Sequence, residues 1–144
     1  MSSDTILVQA SAVAIEGITV MIEGAPGSGK SSLALALIDR GADLIGDDGV
    51  QLQRAGQNIV AKPPPNIEGK LEIRNIGIVE MPAVSAPLGL ILSLTPDATR
   101  FPEKLQQRPI LGINIPVLAF RAGDTVQALR AEWALKMHGI QVHD

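Results

Sequence analysis

The sequence contains no cysteine and no tyrosine, and its aromatic residues are Phe101, Phe120 and Trp133 alone. Without cysteine there is no disulfide, no thiolate metal site and no cysteine nucleophile. Proteins that bind single-stranded nucleic acid stack bases on aromatic side chains, and those that bind the phosphate backbone carry a basic surface. Because this chain has few aromatic residues and a formal net charge of −3, we expect no nucleic-acid partner.

Long apolar runs are missing as well. No hydrophobic stretch approaches the roughly 18 residues that a membrane-spanning helix needs, and the first residues, MSSDT, lack the basic start of a signal peptide. We therefore expect a cytoplasmic protein without a membrane partner. The content of 46% hydrophobic and 19% charged residues is typical of a globular chain, and we expect residues 1–144 to form a single domain.

Apolar runs and breakers alternate along the chain and predict an α/β domain with a β-rich character. The sequence does not predict the order of the strands. Glycines are placed to end both predicted helices, at Gly41 and Gly139, and Asp124 and Thr125 are placed to cap the second. The predicted strands are 5–9, 12–15, 18–22, 42–46, 50–53, 71–80, 88–94 and 113–120; the predicted helices are 31–40 and 126–138; residues 62–66 are predicted to form a rigid surface loop.

A glycine-rich segment follows the third predicted strand and matches the phosphate-loop pattern G-x-x-x-x-G-K-[ST] in full. Glycines allow successive backbone N–H groups to form an anion-binding nest, and a helix N-terminus adds partial positive charge. We expect Lys30 to reach the β- and γ-phosphates of ATP and the Ser31 hydroxyl to bind Mg²⁺. The predicted nucleotide-binding residues are Gly24, Ala25, Pro26, Gly27, Ser28, Gly29, Lys30 and Ser31.

The phosphate loop predicts a nucleotide site and leaves the reaction open. A GTPase adds an Asn-Lys-x-Asp motif that reads the base, and this sequence has none. Residues 43–46 fit the D-x-x-G switch pattern, but only one helix separates them from Lys30, so we interpret that match as coincidental. Neither does the pattern decide between ATP and pyrophosphate as the donor.

Two adjacent aspartates, Asp47 and Asp48, follow the strand predicted at 42–46. Ligand sites of α/β sheets lie at the carboxyl ends of strands, so at least one carboxylate should face the bound phosphates. One can act as general base toward a hydroxyl, and the other can orient it or bind Mg²⁺ through water. Alternation at the strand end would turn the neighbour of the working base aside. A β-turn without a catalytic role is the alternative.

Charged residues also occur in segment 71–80. As a single strand, this segment places Glu72 and Arg74 on the same face, which indicates a polar site where Glu72 completes the Mg²⁺ shell and Arg74 takes part in catalysis. A surface ion pair is the alternative. Arg100 is a candidate for neutralising the charge of a transferred phosphoryl group, with a solvated loop residue as the alternative.

Taken in order, the phosphate loop, the Arg-Gly and Asp-Asp pairs that follow it, and Glu-Ile-Arg-x-Ile-Gly-Ile at 72–78 resemble the catalytic domain of HPr kinase/phosphorylase. The resemblance covers about residues 5–122, without the separate N-terminal domain of longer members. It implies a P-loop fold of the HPr kinase and phosphoenolpyruvate carboxykinase type. The implied activity is ATP- and Mg²⁺-dependent phosphorylation of a serine in the HPr phosphocarrier, with reverse phosphorolysis in many members. The implied assembly is a homo-oligomer, which in the family is a hexamer. It also implies that Asp48 is the proton acceptor, Glu72 a second Mg²⁺ ligand and Arg100 a late catalytic arginine.

Two positions depart from the family pattern. Gln9 stands where the family has a catalytic histidine, and an amide cannot carry a proton near neutral pH. Asn75 stands where glycine is usual. We interpret His138 and His143 as solvated residues of the C-terminal tail, too distant in sequence to replace the lost histidine. The hypotheses are therefore a serine kinase for an HPr-like protein, an ATP-binding sensor without turnover, and a small-molecule kinase.

Overall fold

The structure, a computed structural model, describes residues 4–65, 69–102 and 104–142. Asn66 and His143, which the sequence assigned to the surface loop and the tail, lie outside these ranges. In the described ranges, no helix is long and apolar enough to cross a membrane. The elements are β1 Thr5–Val8, β2 Ser11–Ile15, β3 Ile18–Glu23, α1 Lys30–Asp39, β4 Asp43–Gly46, β5 Val50–Ala55, β6 Asn58–Lys62, β7 Lys70–Ile73, β8 Gly77–Glu80, β9 Ala86–Leu94, β10 Gln106–Ile110, β11 Ile113–Phe120 and α2 Gln127–His138.

Nine of these strands form one mixed, curled sheet, in the order β1-β5-β6-β9-β3-β2-β4, with β11 also paired to β9 and β10 to β11. The central strands β3, β9 and β11 run parallel, and the other pairings are antiparallel. Parallel strands end at the same edge of a sheet, so the segments that follow β3, β9 and β11 leave from one edge. This edge carries the loop between β3 and α1. The predicted α/β, β-rich fold is confirmed.

Both faces of the central strands are buried, which explains their nearly continuous apolar sequences. In β3, Val20 and Ile22 belong to one core cluster and Met21 to another, because successive side chains point to opposite faces. The first cluster packs beneath α1 and α2, and the second joins the central strands to β5, β6 and β11. The aliphatic core fixes the edge of the sheet from which the phosphate loop emerges.

The single strand predicted at 71–80 is wrong, because β7 and β8 form a separate antiparallel hairpin that turns at residues 74–76. Asn75 adopts a positive φ of 68° in this turn, a conformation that asparagine tolerates better than most residues. The predicted shared face of Glu72 and Arg74 is also wrong, since Arg74 lies in the turn. In addition, β10 was not predicted, and Pro64 in the predicted surface loop is buried.

The predicted cap of α2 also differs from the structure. The backbone N–H of Val126 donates to Asp124 Oδ1 at 3.1 Å, so Asp124 stabilises the turn before the helix. The N-cap position itself is Val126, whose apolar side chain makes no capping hydrogen bond to the helix. At the other helix, Gly41 has the positive φ, 110°, expected of a glycine after a helix C-terminus.

Candidate nucleotide-binding and catalytic site

The phosphate loop spans the six residues between β3 and α1, and glycine conformation gives it its shape. Gly27 and Gly29 have φ values of 81° and 105°, which most other residues reach only with strain. A Cβ at Gly24 would lie 2.5 Å from Ser28 Oγ, so a larger residue there would displace the loop. Helix α1 begins directly after the loop at Lys30 and carries no acidic residue in its first turn. The N-terminal partial charge of α1 is therefore available to an anion.

Two polar side chains of the loop, Lys30 and Ser28, differ in their hydrogen bonds within the described protein. Lys30 Nζ donates to the carbonyl oxygens of Gly24 and Ala25 at 3.0 and 3.2 Å, so its ammonium lies over the loop. Ser28 Oγ is buried without a hydrogen-bond partner in the described ranges. A buried hydroxyl without a partner is costly. These donors fit the phosphate oxygens of a nucleotide.

Asp47 is the most heavily bonded side chain of the site. Its Oδ1 accepts hydrogen bonds from Ser31 Oγ at 2.6 Å and Ser11 Oγ at 3.0 Å, and its Oδ2 accepts one from the backbone N–H of Glu72 at 3.3 Å. Three separate elements, β2, α1 and β7, therefore converge on one carboxylate. The expectation that Asp47 turns aside from the phosphate loop is wrong, because its carboxylate contacts the loop serine directly.

Asp48 occupies a different environment from its neighbour. It is exposed, its φ is 63°, and within the described residues its carboxylate has no hydrogen-bond partner. The turn that holds it begins at Gly46, where an added Cβ would clash with the carbonyl oxygen of Gly49. The positive φ departs from strand geometry, so simple alternation does not determine which way Asp47 and Asp48 point. Both carboxylates line the same cavity.

This cavity has a volume of about 400 Å³ and lies between the phosphate loop, the aspartate turn and the β7–β8 hairpin. The hairpin forms its outer wall, and the exposed residues Glu72 and Arg74 line it together with Ile73. The lining residues are Ser11, Pro26, Gly27, Gly29, Lys30, Ser31, Ser32, Leu35, Asp47, Asp48, Glu72, Ile73 and Arg74. Five of the eight predicted nucleotide-binding residues therefore share one cavity with both aspartates, Glu72 and Arg74.

Four predicted site residues do not line the cavity, namely Gly24, Ala25, Ser28 and Arg100, and Gln9 does not line it either. Arg100 is exposed on the segment after β9, and its guanidinium stacks 5.3 Å from the centre of the Phe101 ring. Gln9 is exposed in the bend between β1 and β2. The catalytic role predicted for Arg100 remains a prediction.

An ion pair supports the strand that enters the phosphate loop. Arg108 of β10 donates to both carboxylate oxygens of Glu23, the last residue of β3, with Nη2 at 2.7 Å from Oε2. The hydrogen bond from Arg108 lowers the pKa of Glu23, with further lowering from Ser93, and the carboxylate in turn raises the pKa of Arg108. This bidentate pair ties the last hairpin of the sheet to the base of the loop.

The donor set fits Mg²⁺ that is held mainly by phosphate and water. Nowhere in the described ranges do three or more histidine, aspartate or glutamate side chains form a metal cluster. A hydroxyl and a carboxylate do meet at Ser31 and Asp47, and oxygen ligands of these two kinds, with phosphate, are those that Mg²⁺ uses in nucleotide sites. Glu72 lines the same cavity as Ser31 and Asp47.

Three residues that build or support this site were not predicted from the sequence, namely Ser11, Glu23 and Arg108, and the hydrogen bonds of Asp47 were not predicted either. Ser11 had a signal, since it is the one hydroxyl in the otherwise apolar run 10–15. The Glu23–Arg108 pair had none, because its partners lie 85 residues apart and only the fold brings them together.

Comparison with known proteins gives consistent results. A family model described as the HPr Serine kinase C-terminal domain matches residues 2–86. The HPr kinase/phosphorylase of Clostridium acetobutylicum is 42% identical over 72 residues, which are 50% of this chain and 24% of that protein. The HPr kinase/phosphorylase of Exiguobacterium sibiricum is 46% identical over 70 residues, which are 48% and 22% of the two chains. The chain thus matches about a quarter of the length of these relatives.

Among solved structures, the Hpr(Ser) kinase/phosphatase from Coxiella burnetii superposes with a TM-score of 0.77 at 28% sequence identity, over 92% of each chain. The structural likeness therefore extends past the family-model match into the C-terminal part of the chain. The family model itself covers more than half of the sequence and includes the phosphate loop, the aspartate pair and the β7–β8 hairpin. This chain belongs to the HPr Serine kinase C-terminal domain family.

Proposed function

We propose that this chain is an ATP- and Mg²⁺-dependent protein-serine kinase that phosphorylates an HPr-like phosphocarrier. The observation that carries the proposal is the difference between the two aspartates in the cavity. Asp47 is bound by three donors, including the phosphate-loop Ser31, whereas Asp48 has no partner in the described protein and lies exposed on the same cavity. In protein kinases one aspartate binds the metal and another accepts the proton of the acceptor hydroxyl.

Nucleotide binding rests on the phosphate loop. The nest around Gly27 and Gly29, the N-terminus of α1 and the Lys30 ammonium all direct positive charge into the cavity. On nucleotide binding, Lys30 would exchange its two backbone carbonyl partners for phosphate oxygens. These groups bind phosphate without reading the base.

Ser31, Asp47 and Glu72 are the residues that we propose would hold Mg²⁺. When bound, Mg²⁺ would stabilise the charge that develops on the transferred phosphoryl group. Ser31 can donate its proton to Asp47 and still offer a lone pair to a cation. Asp47 thereby orients the Ser31 hydroxyl, and we propose that Glu72, which lines the same cavity, binds the cation directly or through water.

We assign the general base to Asp48. In the transfer step the acceptor serine oxygen bonds to the γ-phosphorus of ATP while the bond from that phosphorus to the bridging oxygen breaks. ADP leaves, and the serine proton passes to the Asp48 carboxylate. We assign Arg74, which lines the cavity on the β7–β8 hairpin, to binding phosphate oxygens, and Arg100 would have to enter the cavity to do so.

We further propose that the chain acts as one catalytic domain in a cytoplasmic homo-oligomer, which by likeness to the family is a hexamer. A sensor that binds ATP without turnover is the second candidate, favoured by one observation. Both Gln9 and Arg100 lie outside the cavity lining. A sensor needs the phosphate loop but needs neither of these residues.

Transfer of labelled phosphate from ATP to purified HPr-like phosphocarriers distinguishes the two candidates. A kinase labels a serine of the phosphocarrier in a Mg²⁺-dependent reaction, and both Lys30→Ala and a phosphocarrier with its acceptor serine replaced by alanine abolish the label. A sensor binds ATP with the parent affinity and labels nothing. Label on a small molecule in place of protein would favour a small-molecule kinase.

A further inference from the structure

Ser11 is one of only two buried polar side chains in the described protein, with 1% of its surface exposed. It lies at the start of β2, between the fully buried residues Ala10 and Ala12. A buried hydroxyl costs free energy unless it is hydrogen-bonded, and Ser11 Oγ donates to Asp47 Oδ1 at 3.0 Å. Ser11 also lines the cavity. The apolar strand β2 therefore carries a single hydroxyl, which donates to the Asp47 carboxylate.

We propose that Ser11 is a positioning residue that holds Asp47 for cation binding, an inference that rests on the proposed Mg²⁺-nucleotide site. Ser11 and Ser31 both donate to the same oxygen, Asp47 Oδ1, from opposite elements. Ser31 is the residue whose hydroxyl must also serve the cation. The hydroxyl of Ser11 makes no other side-chain hydrogen bond among the described residues, so Asp47 is its acceptor in the site.

The rigidity of this arrangement comes from the sheet. β2 is paired on both sides, to β3 through Ser11 and Ile22, and to β4 through Ala12 and Gly46. The residue after Gly46 is Asp47, so the backbone that carries Ser11 is adjacent to the backbone that carries its acceptor. By contrast, the third donor, the N–H of Glu72, belongs to a separate hairpin and makes a longer bond of 3.3 Å. Ser11 is the donor fixed most directly to the central sheet.

Thr19 supplies a matched control. It is the other buried polar side chain, it is fully buried in neighbouring β3, and its hydroxyl donates to the Ala86 carbonyl at 2.8 Å, outside the cavity lining. Thr19→Val removes a buried hydroxyl of the same kind without touching the site. A purely structural role for Ser11 would make Ser11→Ala and Thr19→Val behave alike.

The experiment measures binding of a fluorescent ATP analogue as Mg²⁺ is titrated, with thermal unfolding of each variant alongside. We expect Ser11→Ala to raise the Mg²⁺ concentration for half-maximal binding about tenfold, as expected for loss of a hydrogen bond to a charged group. Ser11→Thr, which keeps the hydroxyl, should stay near the parent, and Thr19→Val should change only the unfolding temperature. In an Asp47→Asn background, Ser11→Ala should add no further change in Mg²⁺ dependence.

An unchanged Mg²⁺ dependence in folded Ser11→Ala, or an equal shift in Thr19→Val, would overturn the positioning role while leaving the proposed kinase intact. An Asp47→Asn background in which Ser11→Ala still shifts the titration would overturn the assignment of Asp47 as the group that Ser11 acts through. A parent protein without any Mg²⁺-dependent nucleotide binding would overturn the proposed function and this inference together. Absence of phosphotransfer alone would contradict only the proposed function, because the binding readout does not need turnover.

Discussion

At the scale of single residues, the adjacent carboxylates Asp47 and Asp48 differ in chemistry because their surroundings differ. The lone pairs of Asp47 are engaged by Ser11, Ser31 and the Glu72 backbone, so this carboxylate is poorly placed to take a proton from a substrate. Asp48 has its lone pairs open to the cavity. The left-handed backbone at Asp48 makes this separation possible, because it breaks the strand alternation that would otherwise orient the pair.

Asp48→Asn tests the proposed base. Asparagine tolerates the same left-handed backbone, so the turn should be preserved while the proton acceptor is lost. We expect phosphotransfer to fall about 10²–10⁴-fold, the usual contribution of a positioned general base, with little change in nucleotide affinity. Single-turnover transfer and equilibrium nucleotide binding give the two numbers. An equal loss of Mg²⁺-nucleotide binding would instead make Asp48 a metal ligand.

Lys30→Ala tests the nucleotide site. The substitution removes the ammonium over the phosphate loop and leaves the glycine conformations unchanged. We expect nucleotide binding to weaken at least tenfold and transfer to be lost, since Lys30 is the phosphate-loop cation. Titration calorimetry with Mg·ATP measures the first effect, and Lys136→Ala, at an exposed position of α2, is the control for loss of one lysine. Parent-like affinity in Lys30→Ala would contradict the assignment of this loop.

At the scale of elements, the sequence predicted those parts of the fold whose signal is local. The phosphate loop, α1 and the apolar strands β2, β3, β9 and β11 follow from breakers and hydrophobic runs. The β7–β8 hairpin also left a local signal that a single strand cannot explain. Apolar residues alternate at 71 and 73 and then at 76 and 78, and this shift by one position marks the turn. Asn75 in the turn and Gly77 at the start of β8 both have a positive φ.

The sequence could not predict contacts made across the sheet. Asp47 gains its role from Ser11 on β2 and from the Glu72 backbone on β7, neither of which is near it in sequence. The predicted cavity residues Glu72 and Arg74 do face the same space, although the single-strand geometry used to place them was wrong. A single strand and a hairpin can both bring Glu72 and Arg74 to one cavity. The prediction that these two residues lie together therefore did not depend on predicting the right secondary structure.

The Glu23–Arg108 pair makes a prediction about pH. Because the folded-state pKa of Glu23 lies below its usual value, its contribution to stability is complete above about pH 4.5 and is lost as the pH falls through the lowered pKa. Arg108→Met should cost about 1 kcal/mol at neutral pH, since the pair is partly exposed, and should flatten the acid limb of the stability curve. Denaturant unfolding from pH 7 to pH 3 measures both effects.

A reversed pair, Glu23→Arg with Arg108→Glu, is the companion variant for this prediction. If the ion pair supports the entry to the phosphate loop, the reversed pair should recover part of the stability and nucleotide affinity that either single substitution loses. Equal acid sensitivity in the parent and in Arg108→Met would show that Glu23 contributes no pH-dependent stability.

At the scale of the whole molecule, the parallel strands β3, β9 and β11 bring distant segments to one edge of the sheet. The phosphate loop leaves from β3, and the segment with Arg100 leaves from β9. Arg100 lies outside the cavity lining although its segment begins at the same edge. The proposed kinase therefore requires this segment to approach the bound nucleotide, whereas the sensor alternative does not.

Gln9→His tests which alternative describes the molecule. Gln9 lies two residues before Ser11, in the bend where the chain passes from β1 to β2. An imidazole can exchange a proton near neutral pH and an amide cannot. For the kinase we expect Gln9→His to raise phosphotransfer or the reverse phosphorolysis above the parent rate, with a new ionisation near pH 6.5 in the rate profile. Gln57→His, at the exposed β5–β6 turn, controls for adding a histidine. Rates equal to the parent in both directions would show that the family's histidine role does not transfer to position 9.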